Sequence, residues 1–180
     1  MAANIFGMNK KVMMMIRISE VLARQIEQHG KQTYPEECCG MILGVSADDI
    51  QTVESIMEID NSQSGNHKRR FLITPQQYLQ AERIAQEKNM ELLGFYYSHP
   101  DHPAIPSVFD TEHALPLFTY IIVSISHGEA KSMTAWLLNK NRSRMVERAL
   151  SVEDGQNAIR VSIKPFHQTY GLDETSMKHT

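Results

Sequence analysis

An apolar run that ends in a histidine, followed by a proline-rich loop, lies at residues 92–110, which read LLGFYYSHPDHPAIPSVFD. Such a run predicts a buried strand that places His99 at its end. Ser107 and Asp110 have the spacing of a capping box, which predicts the start of a helix. Because a strand end and a helix start can meet at one point, His99 and Asp110 are candidate ligands for Zn²⁺.

Outward from this stretch, strand patterns alternate with helix patterns. Strands are predicted at residues 12–18, 39–45, 50–59, 71–73, 91–98, 120–126, 133–138, 144–149 and 158–166. Helices are predicted after Ser19, with Gly30 as the stop, after Thr74, with Asn89 as the end, and over 107–115. This alternation predicts an α/β fold in which a mixed β-sheet is flanked by about three helices.

Composition and charge limit the classes of protein that are consistent with this sequence. The chain has 180 residues, of which 42% are hydrophobic and 22% charged, as expected for one globular domain. Its net charge of −3 gives no reason to expect nucleic acid or an anionic membrane as a partner. Cys38 and Cys39 are adjacent and lack zinc-finger spacing, so we expect buried, inert thiols and a reducing cytoplasm. The apolar run at 12–16 is too short to span a membrane.

The stretch resembles the metal motif of the JAMM metallopeptidases, also called MPN or JAB domains. That motif is Glu-x-x-Gly, then His-Ser/Thr-His-Pro, then Ser-x-x-Asp. Glu37, His99, Ser107 and Asp110 occupy matching positions, and Tyr97 stands at the position of the first histidine. The resemblance is closest to the small bacterial branch that acts on ubiquitin-like sulfur-carrier proteins.

The resemblance covers roughly residues 12–150. It implies an MPN (JAB) fold with cytidine-deaminase-like layering. We expect a leader at 1–10, the JAMM/MPN domain at 11–150 and a partly disordered C-terminal extension at 151–180. Homodimer formation is left open.

The resemblance also implies a role for each site residue. Glu37 would be the general base, His99 and Asp110 would bind Zn²⁺, and Ser107 would polarise the substrate carbonyl. The scissile bond would be the amide after the C-terminal glycine of a sulfur carrier. We expect the flexible tail of that carrier to lie beside the edge of the strand that leads into the site, around residues 91–97.

Two interpretations of Tyr97 stay open. A phenol has a pKa of about 10, so it binds a metal at neutral pH only after losing its proton. Tyr97 is therefore either a second-rate ligand or an aromatic residue that fills space. The retained motif residues favour a zinc hydrolase, whereas Tyr97 favours an MPN binding module that holds the carrier without cleaving it. His102 could replace the missing ligand and His113 could support one, but surface positions are expected for both.

Overall fold

A computed structural model describes residues 15–59 and 74–154, and the backbone of 159–161. Within these ranges lie eight strands: β1 (Met15–Ser19), β2 (Cys39–Ala47), β3 (Ile50–Ile59), β4 (Glu91–Pro100), β5 (Thr119–Ser126), β6 (Glu129–Leu138), β7 (Met145–Glu153) and β8 (Ile159–Val161). The same ranges contain three helices: α1 (Glu20–Thr33), α2 (Pro75–Glu87) and α3 (Val108–His113).

The strands form one mixed sheet in the order β1-β3-β2-β4-β5-β6-β7-β8. β1 pairs in parallel with both β3 and β7, so the sheet closes on itself. The β4–β5 pair is also parallel, and the remaining neighbours are antiparallel. The mixed α/β architecture is thus confirmed. The cytidine-deaminase-like layering stays a prediction.

The two faces of the sheet carry two separate apolar cores. One core packs beneath α1 and includes Ile26 of that helix and Tyr96 of β4. The other packs beneath α2 and includes Ala81 of that helix and Tyr97 of β4. Since neighbouring side chains on a strand point to opposite faces, β4 contributes to both cores.

Local patterns located several elements correctly. The strands predicted at 39–45 and 50–59 are confirmed and pair as an antiparallel hairpin. α2 begins after Thr74, as predicted, with a capping box formed by Thr74 and Gln77. None of the helices among the described residues is long and apolar enough to span a membrane. Cys38 and Cys39 are buried, and burial raises the pKa of the Cys38 thiol to about 12, as expected for an inert thiol.

Other elements differ from the prediction because tertiary contacts override local signals. Gly30 does not end α1, which continues to Thr33; a side chain at Gly30 would crowd Ile125. β6 begins at Glu129, four residues early, because its first half pairs with β5. β7 continues to Glu153, beyond the strand predicted at 144–149, because residues 149–153 pair with β1. The predicted strand at 71–73 lies outside the described residues.

The expectation that a substrate tail adds to the edge of β4 is wrong for residues 94–97. These residues pair with β2 on one side and with β5 on the other, so both edges of the strand are already hydrogen-bonded there. Residues 91 and 92 have register partners on β2 but not on β5.

Gly94 provides a test of the close β4–β5 pairing. A Cβ at Gly94 would overlap the carbonyl oxygen of its partner Thr119, and the φ of Gly94 is +155°. We expect Gly94→Ala to lower the free energy of unfolding by about 3 kcal/mol, as measured by urea denaturation. Gly128→Ala is the control, because Gly128 also has positive φ but its nearest neighbour is 4.0 Å away; its loss should be about 1 kcal/mol. Equal losses in the two variants would contradict this account.

Candidate functional site

His99 lies at the end of β4, with only 9% of its surface exposed. Its Nδ1 lies 2.9 Å from the carbonyl oxygen of Pro103. Because a carbonyl oxygen only accepts hydrogen bonds, Nδ1 must carry a proton and donate it. The other ring nitrogen, Nε2, faces Asp110, with 3.4 Å between Nε2 and Oδ2. The fold thus fixes both the tautomer and the direction of the imidazole.

Asp110 reaches His99 from the first turn of α3. Ser107 is the N-cap of this helix: its hydroxyl accepts from the Asp110 amide at 3.1 Å. In return, the Ser107 amide donates to Asp110 Oδ2 at 2.6 Å. The Ser-x-x-Asp sequence therefore forms a capping box and also holds a carboxylate against His99. Ser107 is exposed, and its side chain is among the groups that lower the pKa of Asp110.

Glu37 approaches the same point from the segment before β2. The residue is only 5% exposed, and its charge contributes to raising the pKa of both His99 and Tyr97. The structure therefore brings Glu37, Tyr97, His99 and Asp110 together, with Ser107 beside them. Their chemical roles stay predictions.

Tyr97 is more deeply buried than Glu37 and His99. It is 1% exposed and lies on the same face of β4 as His99, with 5.4 Å between the ring centroids. Burial first, and then the carboxylate of Asp110, raise the pKa of the Tyr97 phenol well above 10. Tyr97 is therefore a space-filling aromatic residue whose hydroxyl keeps its proton at neutral pH.

Hydrogen bonding outweighs burial for the His99–Asp110 pair. Burial alone would lower the pKa of His99, but bonds to Asp110 and to the Pro103 carbonyl raise it. Burial alone would raise the pKa of Asp110, but bonds to His99 and Ser107 lower it. Both shifts favour the charged forms, so each group stabilises the charge of the other.

The donor atoms can be compared with what zinc requires. Two ligands of a tetrahedral zinc with bonds of about 2.0–2.1 Å lie roughly 3.3–3.4 Å apart, which matches the 3.4 Å between His99 Nε2 and Asp110 Oδ2. Among the described residues, no three His, Cys, Asp or Glu side chains are placed so that they could hold a metal ion together. His99 and Asp110 alone are fewer than the three protein ligands of a catalytic zinc site. The residues present would therefore fit zinc only if Tyr97 supplied a third donor, which requires loss of its proton.

The two other histidines near the site play no part in this pair. His102 is exposed, and its backbone carbonyl accepts from the Ser124 hydroxyl at 2.6 Å. His113 is exposed on α3, where its ring stacks on Phe109 and its Nδ1 lies 2.9 Å from the Phe109 carbonyl oxygen. Neither of these contacts involves His99 or Asp110.

Tyr97→His should strengthen zinc binding. A neutral imidazole coordinates zinc without losing a proton, whereas a phenol of pKa about 10 must first ionise at a cost of roughly 4 kcal/mol at pH 7. We expect the zinc dissociation constant, measured by competition with a chelator, to fall at least about 100-fold, within that free-energy range. Tyr97→Phe is the matched control and should bind zinc no more tightly than the wild type. Equal affinities for Tyr97→His and the wild type would show that Tyr97 does not limit binding.

Similarity to known proteins covers all of these residues. Residues 19–139 match the family described as prokaryotic homologs of the JAB domain. Desampylase from Haloferax volcanii is 29% identical over 91 residues, which are 50% of this chain and 63% of the length of that protein.

Two solved structures resemble the whole domain. A protein from Salinibacter ruber aligns with a TM-score of 0.60 at 37% identity, over 79% of this chain and 94% of its own. A protein from Desulfitobacterium hafniense aligns with a TM-score of 0.68 at 23% identity, over 77% of this chain and 93% of its own. The second likeness concerns the fold alone.

Proposed function

This chain belongs to the family of prokaryotic homologs of the JAB domain, and from that membership we propose that it is a hydrolase acting on a ubiquitin-like protein. The proposed scissile bond is the amide after the C-terminal glycine of a ubiquitin-like sulfur carrier. The observation that carries the proposal is the His99–Asp110 pair, with 3.4 Å between Nε2 and Oδ2, together with buried Glu37, whose charge acts on His99. The similarity to a desampylase supports this class of substrate.

Each residue has a distinct task in this proposal. A zinc ion held by His99, Asp110 and Tyr97 would supply a Lewis acid that acidifies water and polarises a carbonyl. Glu37 takes a proton from the attacking water and passes it to the leaving amine. The exposed Ser107 hydroxyl donates a hydrogen bond to the substrate carbonyl as negative charge develops on its oxygen.

The burial of Glu37 and the hydrogen bonding of His99 support the roles proposed for them. Because Glu37 is 5% exposed, few bulk waters compete for its carboxylate. The Pro103 carbonyl holds the His99 ring in one orientation, so the imidazole does not have to be ordered when substrate binds. Because Ser107 is exposed and Glu37 is buried, a carrier tail would reach Ser107 first.

Tyr97 favours a second candidate function. A protonated phenol at a ligand position weakens zinc binding, and a domain that binds little zinc could hold the carrier tail without cutting it. This binding module uses the same surface as the hydrolase and differs only in chemistry. The cytoplasmic location, the homodimer and the division at residues 10 and 150 stay predictions.

A fusion substrate tests the hydrolase. A sulfur carrier joined through its C-terminal glycine to a reporter peptide should be cut after that glycine in the presence of zinc, and mass spectrometry locates the cut. Glu37→Gln should lower kcat by roughly 100- to 1,000-fold, because the general base is removed. The matched control is Glu36→Gln, which changes an exposed neighbouring acid and should retain activity. Chelation of zinc should abolish cleavage.

The outcomes separate the two functions. A fusion that binds but stays intact with both the wild type and Tyr97→His supports the binding module and contradicts the hydrolase. A fusion that neither binds nor is cut contradicts both. Cleavage that is unaffected by Glu37→Gln would contradict the role given to Glu37.

A further inference from the structure

Glu37 and His99 lie on different segments of the chain, and hydrogen bonds join these segments on one side of the pair. The Cys38 amide donates to the Ser98 hydroxyl at 2.9 Å, and the Ser98 amide donates to the Cys38 carbonyl at 3.1 Å. Cys38 directly follows Glu37, and Ser98 directly precedes His99. This first link is buried and extends the β2–β4 ladder.

A second link joins the same segments on the other side. The hydroxyl of Tyr34, three residues before Glu37, donates to Asp101 Oδ2 at 2.9 Å. The other oxygen, Oδ1, accepts from the His127 amide at 3.0 Å, in the turn between β5 and β6. The Asp101 amide donates to the Ile125 carbonyl at 2.7 Å. One carboxylate thus connects the segment that carries Glu37, the loop after His99 and the β5–β6 turn.

Asp101 also begins the loop that orients His99. In this loop the Pro103 carbonyl accepts from His99 Nδ1. The carbonyls on either side accept from Ser124 and Thr134, on β5 and β6. A shift of the loop by one residue would therefore present a different carbonyl to the imidazole.

We propose that Asp101 is a positioning residue, whose carboxylate holds the Glu37 segment and the His99 loop at a fixed separation. Asp101 is exposed, so burial in the core does not explain its contacts. Both of its oxygens are used by donors from different elements, which an apolar side chain cannot reproduce. The positioning of the two segments by Asp101 does not depend on the proposed function. The effect of Asp101 on kcat rests on the proposed hydrolase activity.

Three variants test the role of Asp101. Asp101 has a φ of +55°, which glycine and asparagine tolerate. Asp101→Gly therefore removes the carboxylate without backbone strain. Asp101→Asn keeps an acceptor for the His127 amide and a polar group facing the Tyr34 oxygen, so it should rescue function. Tyr34→Phe removes a single donor, and Tyr78→Phe, on α2, is its control.

The kinetic readout is the separate measurement of kcat and KM on the carrier fusion. Because misplacement of catalytic groups slows the chemical step, Asp101→Gly should lower kcat about ten-fold with KM changed less than two-fold. Tyr34→Phe should lower kcat by a smaller factor, and Tyr78→Phe and Asp101→Asn should stay close to the wild type. An effect of Asp101→Gly on KM alone would overturn the proposal.

The structural readout is nuclear magnetic resonance of the imidazole and amide groups, without substrate. In the wild type, the His99 Nδ1 proton should give a sharp, slowly exchanging signal because Pro103 accepts it. Asp101→Gly should broaden this signal and speed exchange of the His127 amide, and Asp101→Asn should restore both. An unchanged His99 signal in Asp101→Gly would overturn the proposal. If the wild type shows no hydrolysis, the hydrolase fails and this readout alone decides the role of Asp101.

Discussion

The structure of the site depends on the parallel pairing of β4 with β5. Two parallel strands cannot be joined by a tight turn, so the chain must cross over between them. Here the crossover is the loop after His99 followed by α3, and it returns Asp110 to the end of the strand from which it left. Because β4 is also paired with β2, the segment that carries Glu37 ends at the same place. One strand with two partners therefore gathers side chains from three parts of the chain.

The site at the end of β4 carries more acidic than basic side chains, which favours the binding of a cation. Glu37 and Asp110 both act on one imidazole, and the Tyr97 phenol keeps its proton. A buried place with two acids and a single basic group attracts a further positive charge more strongly than an exposed one does. Tyr97, which stands where the family resemblance places a histidine, therefore leaves the negative charge of the two acids in place.

Most of the fold could be predicted from local sequence patterns, whereas the members of the candidate site were predicted from the family resemblance. A capping box is a pattern within four consecutive residues, so it can be recognised from the sequence alone. For this reason the starts of α2 and α3 were located correctly. Long-range pairing leaves no such local pattern. The extension of β7 to Glu153 depends on β1, far away in the chain. The bond between Tyr34 and Asp101 spans 67 residues, and neither residue has a neighbouring motif that would indicate it.

The most direct test of the site is diffraction at the zinc absorption edge from crystals of the wild-type protein grown with excess zinc. We expect an anomalous peak within bonding distance of both His99 Nε2 and the Asp110 carboxylate, with the Glu37 carboxylate facing it. A zinc peak held by other residues, with His99 and Asp110 still paired to each other, would contradict the account.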